Sequence, residues 1–458
     1  MYNYTVWGLC QYLPAAQYDK TARERYAMIT RRALLSSVAT AAAVPGVLSA
    51  AAKPFPKAFL WGAATAGHQV EGNNLNSDCW LLEHLPQSVF VEPSGDACDH
   101  YHLYPHDIRL LAELGFNTYR FSLEWPRIEP EEGFFSRAEL EHYRRVLAAC
   151  HEAGVTPMVT YSHFTVPRWF ALKGGWEKAD APGRFAKFCE RSTRRLGDMI
   201  GYATTLNEPD VAALLDWMSL PNGQTIGQMI GSNLPTIRKR LGAPDFSSFI
   251  FADGRLTLPN LVRAHLQGKE AIKSVRPDIP VGLSLAMSDD QPASSNSHVE
   301  EKRAAVYGPF LEAARKDDFL GVQTYTRAIV AEKDLPPPKE AELTGTGWEF
   351  YPEALEHTIR YAAQKTGVPI MVTENGIATD DDERRVEYIR RALAGVGRCL
   401  DDHVDVRGYI HWSLLDNFEW NSGFKPKFGL IAVDRDTQKR SVKPSAAYLG
   451  NIARRNAI

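Results

Sequence analysis

Cysteine is scarce in this chain: six are scattered over 458 residues, and no C-x-x-C pair occurs. That excludes a disulfide scaffold and the usual zinc-ribbon spacing. Only Cys79 and Cys98 lie close enough in sequence to suggest a local bridge in an oxidising compartment. Cys10, Cys150, Cys189 and Cys399 read as free thiols, buried like small apolar residues. Charge of one sign is lacking too. Lys plus Arg number 52 against 55 Asp plus Glu, a net charge of −3. No basic field exists to attract nucleic acid, and short runs such as Arg238-Lys239-Arg240 read as solvated helix faces. Beyond residue 52 no apolar run approaches the roughly 20 residues of a membrane span. Repeats and low-complexity stretches are absent, and nothing speaks to an oligomeric state. What remains is a globular composition, 44% hydrophobic and 23% charged. A single (β/α)8 barrel with insertions fills such a length.

The N-terminus departs from that composition. Thr30-Arg31-Arg32 follows Met28, an Ala-rich apolar stretch runs to Leu48, and Ser49-Ala50-Ala51-Ala52 closes it. A positive start, a short apolar middle and small residues at the end form a secretory signal. The adjacent arginines point to the twin-arginine route. A cytosolic core helix or an N-terminal anchor is the alternative, disfavoured by Pro45-Gly46 and the A-x-A site. The expectation is therefore a signal region over 1–52, a natural start at Met28, and export to a bacterial periplasm or the exterior. Residues 53–458 then form one folded domain.

Along that domain short apolar runs alternate with amphipathic stretches, the pattern of βα units. Strands are expected from Phe59, Asn117, Thr156, Tyr202, Pro280, Phe319, Pro369 and Val406, eight in all. Helical spacing marks Asp107–Leu114, 137–153, Leu258–Ser274 and Glu383–Leu400. Eight parallel strands predict an α/β fold, a single closed (β/α)8 barrel with its site at the strands' C-terminal ends. Polar residues gather at those ends: Gln69 after the first, Arg120 in the second, His163 after the third, Asn207-Glu208 at the fourth. Tyr325, Glu374-Asn375 and Trp412 follow at the sixth, seventh and eighth.

Two carboxylates dominate this set. Glu208 lies in Thr205-Leu206-Asn207-Glu208-Pro209 and Glu374 in Val372-Thr373-Glu374-Asn375-Gly376. Breaking a glycosidic bond needs one carboxyl to protonate the leaving oxygen and a second to attack or stabilise the anomeric carbon. A lone strand-end Glu serves equally well in an ion pair with a neighbouring Arg or Lys. Sequence spacing does not separate the retaining from the inverting geometry.

From Phe55 to Ser445 the chain resembles glycoside hydrolase family 1, the β-glucosidase family. The matching motifs are Phe59-Leu60-Trp61-Gly62-Ala63-Ala64-Thr65-Ala66 with Gln69 and Glu71-Gly72, and Tyr119-Arg120-Phe121-Ser122-Leu123-Glu124-Trp125. The two carboxylate motifs come next, then Trp412-Ser413-Leu414-Leu415-Asp416-Asn417-Phe418-Glu419-Trp420. The resemblance implies a retaining exo-acting β-glycosidase, of β-D-glucosidase type, with Glu374 as nucleophile and Glu208 as acid/base. It implies that Arg120 and Tyr325 donate to Glu374 and that Asn207 bonds the sugar 2-hydroxyl. Gln69, His163 and Glu419 would bond other hydroxyls, Trp412 and Trp420 would stack on the sugar, and Trp348 would form a leaving-group platform. It implies no cofactor and no metal, and as partner a small-molecule or oligosaccharide β-glycoside. Glu419-Trp420 matches the branch that takes unphosphorylated sugars. Transfer to another sugar, β-galactosides or β-fucosides, and a catalytically weak glycan binder are the alternatives.

Two further clusters look suggestive and carry less. Cys98-Asp99-His100-Tyr101-His102 with His106 has the composition of a metal site without its spacing, and the resemblance makes it a helix start. Gly223, Gly227 and Gly231 lack the Lys of a phosphate loop and read as a loop. The chain also departs from the family. Phe164-Thr165 stands where the family usually has Trp-Asp, and Gln323-Thr324 precedes Tyr325 where Asn is usual. The link from Leu285 to Asp318 is short, and 210–256 lacks the family's Gly and His pattern. A reshaped leaving-group side is the expectation.

Overall fold

A computed structural model describes residues 53–220 and 222–458. The expected signal region, Met28 and Cys10 lie outside the described residues. Eight strands carry the architecture: β1 Leu60–Ala64, β2 Thr118–Ser122, β3 Thr156–Ser162 and β4 Tyr202–Asn207. They continue with β5 Val281–Ala286, β6 Phe319–Gln323, β7 Ile370–Glu374 and β8 Val406–Trp412. All pair in parallel with their sequence neighbours, and β8 returns to β1 through Leu60↔Gly408 to Ala64↔Trp412. Closure leaves the barrel itself without an edge strand. The strands are buried along almost their whole length. That is why they read as apolar runs rather than as alternating ones.

Amphipathic helices clad the barrel. His100–Leu114 begins earlier than its spacing predicts, carries Pro105 inside, and stops at Gly115 in the left-handed conformation (φ 99°). Arg137–Glu152 starts at Ser136, whose side chain accepts from the Glu139 amide. Gly254–Val275 packs along Ala181–Leu196. Beside that pair Trp125 gathers Phe170, Phe188 and Trp169 with ring centroids 4.9, 5.1 and 6.1 Å away. Such aromatics bury 150–250 Å² or so each and anchor the helical layer.

Two expectations fail here. Gly227 and Gly231 lie within the helix Ile226–Leu241, not in a loop. Thr225 and Gln228 form a reciprocal capping box at its start, and that outweighs the helix-weakening effect of the glycines. Cys79 and Cys98 are both free thiols, and the buried Cys98 Sγ donates to the Asp416 carbonyl at 3.3 Å. The His-rich segment opens a helix and holds the fold together. His100 bonds Asp107 through Nδ1 at 2.8 Å and the Tyr119 hydroxyl through Nε2 at 2.9 Å. Among the described residues no group of His, Cys, Asp and Glu is arranged to hold a metal ion, and no helix is long and apolar enough to cross a membrane.

Candidate active site

The barrel's C-terminal ends place the two carboxylates. Glu374 is the last residue of β7, and Glu208 follows the last residue of β4. Gly376 lets β7 end there: a Cβ on it would meet the Trp412 carbonyl at 2.2 Å, too close for any other residue. Register shifts sit at both positions, between Thr204 and Asn207 and between Val322 and Gln323. Irregularities of this kind re-aim side chains beside active sites. Glu208, Phe164 and Trp420 hold left-handed backbone (φ 45°, 70° and 52°) although none is glycine. Each such residue costs about 1–3 kcal/mol and persists only where the surroundings enforce it.

Glu208 and Glu374 face one cavity of about 420 Å³. Gln69, His163, Tyr325, Trp348, Trp412, Glu419 and Trp420 line it as well. Arg120 and Asn207 sit beneath, buried in the barrel. Arg120 donates from Nη1 to Glu374 Oε1 at 2.6 Å and from Nη2 to Asn207 Oδ1 at 2.6 Å. The Tyr325 hydroxyl donates to Glu374 Oε2 at 2.5 Å. Every residue singled out from the sequence is therefore brought to one place.

The electrostatics divide the two carboxyls. Burial pushes both above the ordinary carboxylate range. For Glu374 the Arg120 charge and the Tyr325 and Arg120 hydrogen bonds pull back. For Glu208 the charges of Glu374 and Asp210 add to burial, with only Arg120 opposing, and it rises well above that range. The Arg120 and Tyr325 contacts therefore favour the anion on Glu374 over one on Glu208. Glu208 stays protonated beside an ionised neighbour, the division of labour that an acid and a nucleophile need.

Several polar atoms around the cavity are buried without a partner: Gln69 Oε1, His163 Nδ1, Asn207 Nδ2 and Glu419 Oε1. Asn207 Oδ1 accepts from both Arg120 and Gln323 Nε2 (2.9 Å). Two donors on that oxygen fix the amide's orientation and leave Nδ2 as a donor. Burial pulls His163 well below its usual range, so it is neutral. Burial pushes Glu419 up to about 8, so near neutrality it carries a proton. His163 stacks on Trp412 at 5.6 Å, and Trp420 stacks on His68 at 5.7 Å with the rings 2° apart.

The departures from the family pattern acquire a structural account. The Gln323 amide holds Asn207. Thr165, where the family usually has an aspartate, donates from Oγ1 to Glu124 Oε2 at 2.7 Å. Glu124 also accepts from Asn74 Nδ2 at 2.7 Å and from the His68 amide at 3.0 Å. Thr165 thus joins Asn74 and His68 in bonding the buried Glu124 carboxyl. Sequence reasoning missed this role, and it missed Asp210, Thr346, Pro426 and Phe428. Thr346, Pro426 and Phe428 line the cavity, and the Asp210 Oδ1 accepts from the Ala286 amide at 3.1 Å. Asp210 follows Glu208 by two positions, which was its only signal.

A closed parallel barrel with paired carboxyls at its C-terminal mouth, one favoured as the anion and one kept protonated, defines a glycoside hydrolase. Comparison with known proteins agrees. The model of glycosyl hydrolase family 1 matches residues 51–307 and 310–458, and the chain belongs to that family. Beta-glucosidase A of Thermotoga maritima is 30% identical over 89% of this chain and 99% of its own. Thermostable beta-glucosidase B of Thermobispora bispora is 32% identical over 88% and 91%. Among solved structures, that of beta-glycosidase BGL167 is 50% identical, with a TM-score of 0.83 over 88% of this chain and 98% of that one.

Proposed function

We propose that this enzyme is a retaining, exo-acting β-glucosidase acting on unphosphorylated β-glycosides by double displacement. The observation that carries the reading is the asymmetric support of the two carboxyls, with Arg120 and Tyr325 both donating to Glu374 and Glu208 raised further. Glu208 gives its proton to the glycosidic oxygen as Glu374 attacks the anomeric carbon, and the leaving group departs. Glycosylation removes the Glu374 charge, so Glu208 loses one reason to hold a proton and becomes the base for water. Water then adds from the face that the leaving group left, which retains the configuration. Asn207 Nδ2 suits the sugar 2-hydroxyl, and Gln69, His163 and Glu419 suit the others. The relatives named β-glucosidase support glucose as the sugar. No Lys or Arg is among the described residues lining the cavity, so a sugar phosphate would find no counter-charge there.

A 2-deoxy-2-fluoro-β-glucosyl fluoride tests the mechanism. Mass spectrometry of the digested protein is expected to find the sugar on Glu374. A label elsewhere, or none with any sugar configuration, overturns the reading. We further propose that 1–52 is a twin-arginine signal region and 53–458 the glycoside hydrolase domain, exported to the periplasm or beyond. The Arg31-Arg32 pair and the A-x-A site support it. N-terminal sequencing of the mature protein is the check, and a chain that begins at Tyr2 sinks it.

A further inference from the structure

A second pocket, open in part to solvent, shares Phe164 and Trp420 with the sugar cavity. Its walls are apolar: Phe90, Phe249, Ile250, Phe251 and Leu82 face it. Phe164 and Trp420 line both spaces. Phe164 packs on Phe249 at 5.0 Å and on Trp420 at 5.3 Å. Phe90 and Ile250 are partly exposed, which opens the chamber towards solvent.

Three polar side chains interrupt this wall: Asp78, Asn421 and Ser248, whose Oγ accepts from the Phe251 amide at 3.0 Å. Asp78 Oδ1 accepts from the Val166 amide at 3.0 Å, but its Oδ2 has no partner. Neither end of the Asn421 side-chain amide has one. Both residues line the chamber and are 1% and 4% exposed. A mostly apolar pocket with a few convergent polar atoms is the composition of a small-molecule site. Such atoms are free to bond a ligand's polar group.

The geometry points to an accessory subsite that receives a hydroxylated aromatic acyl group esterified to the sugar in the first cavity. This rests on the β-glucosidase reading above. A second sugar fits the chamber poorly, because its many hydroxyls would face mostly aromatic walls with three polar side chains to answer them. A hydroxybenzoyl-type ring instead offers a flat apolar body to the phenylalanines and one hydroxyl to Asp78 or Asn421. The reaction is unchanged. The glycosidic C–O bond breaks, water completes both products, and the ester stays intact on the released sugar.

The test uses 4-nitrophenyl β-D-glucosides that carry one 4-hydroxybenzoyl ester at O3, O4 or O6 in turn, beside the unsubstituted parent. One regioisomer is expected to be cleaved with a kcat/KM within about tenfold of the parent, and the others about a hundredfold slower or worse. Ile250→Trp fills the chamber and is expected to lower that isomer's kcat/KM by about tenfold or more with the parent unaffected. Phe90→Trp, which fills it from another side, replaces it should Ile250→Trp not fold. Cleavage of every ester about a hundredfold below the parent overturns the subsite, as does a filled variant that slows parent and ester alike. Failure to cleave the parent at all counts against the hydrolase reading instead.

Discussion

The cavity has two unlike halves. On one side Gln69, His163, Asn207 and Glu419 present buried polar atoms without partners, backed by Trp412 and Trp420. On the other, Tyr325, Trp348 and Phe428 form an aromatic cluster with centroids 5.4, 5.9 and 6.5 Å apart, joined by Thr346 and Pro426. In the first half each polar group is buried and directional, and one left without a partner in a complex costs about 1–3 kcal/mol. A sugar's hydroxyls remove that penalty, so the wrong hydroxyl pattern is rejected strongly. The second half offers area and little directionality, so it discriminates weakly among leaving groups. Specificity for the sugar and tolerance for its partner follow from the same mouth.

Four measurements would break or sharpen that contrast. Glu374→Ala, at the junction of the halves, is expected to lower kcat by on the order of 10⁴ or more. Azide would restore part of the activity and yield a glycosyl azide of inverted configuration. An undiminished rate would remove the nucleophile from the scheme. Gln69→Leu is expected to lower kcat/KM by about 10–100-fold, equally for every leaving group. A loss that depends on the leaving group would erase the division.

The third measurement concerns pH. Glu419 is protonated below about 8 and can then donate to a hydroxyl as well as accept. Affinity for a neutral sugar-shaped inhibitor is therefore expected to be full below that pH and to weaken about 3–10-fold as pH rises through it. Glu419→Gln, which cannot ionise, should flatten the profile. Calorimetric titration across pH 6–9 or so reads this directly. Smallest is Trp348→Ala on the aromatic half, expected to raise KM about 3–10-fold for aryl glucosides with kcat nearly unchanged. An equal rise for methyl glucoside would mean that Trp348 contacts the sugar.

The barrel was legible because its strands are buried on both faces and so appear as uninterrupted apolar runs. Val406–Trp412 is read to the residue, and the others begin within a residue or so. Glycine misled where local chemistry was overridden. The capping box of Thr225 and Gln228 keeps Gly227 and Gly231 helical. His100 looks like a ligand in sequence and is in fact tied to Asp107 and Tyr119. Cys79 and Cys98 suggested a bridge by proximity in sequence, which says nothing about where their side chains point.

The sequence by itself determined the strand order, the position of Glu208 and Glu374 at strand ends, and the family. Each of these rests on contiguous residues, where periodicity and motif suffice. Only the tertiary structure decided how the two carboxyls differ, because Arg120, Tyr325 and Asp210 reach them from other strands and loops. It alone showed that Thr165 bonds Glu124, and that a second pocket shares Phe164 and Trp420 with the first. Charge and shape at a barrel mouth are summed over residues hundreds of positions apart, and no local pattern records that sum.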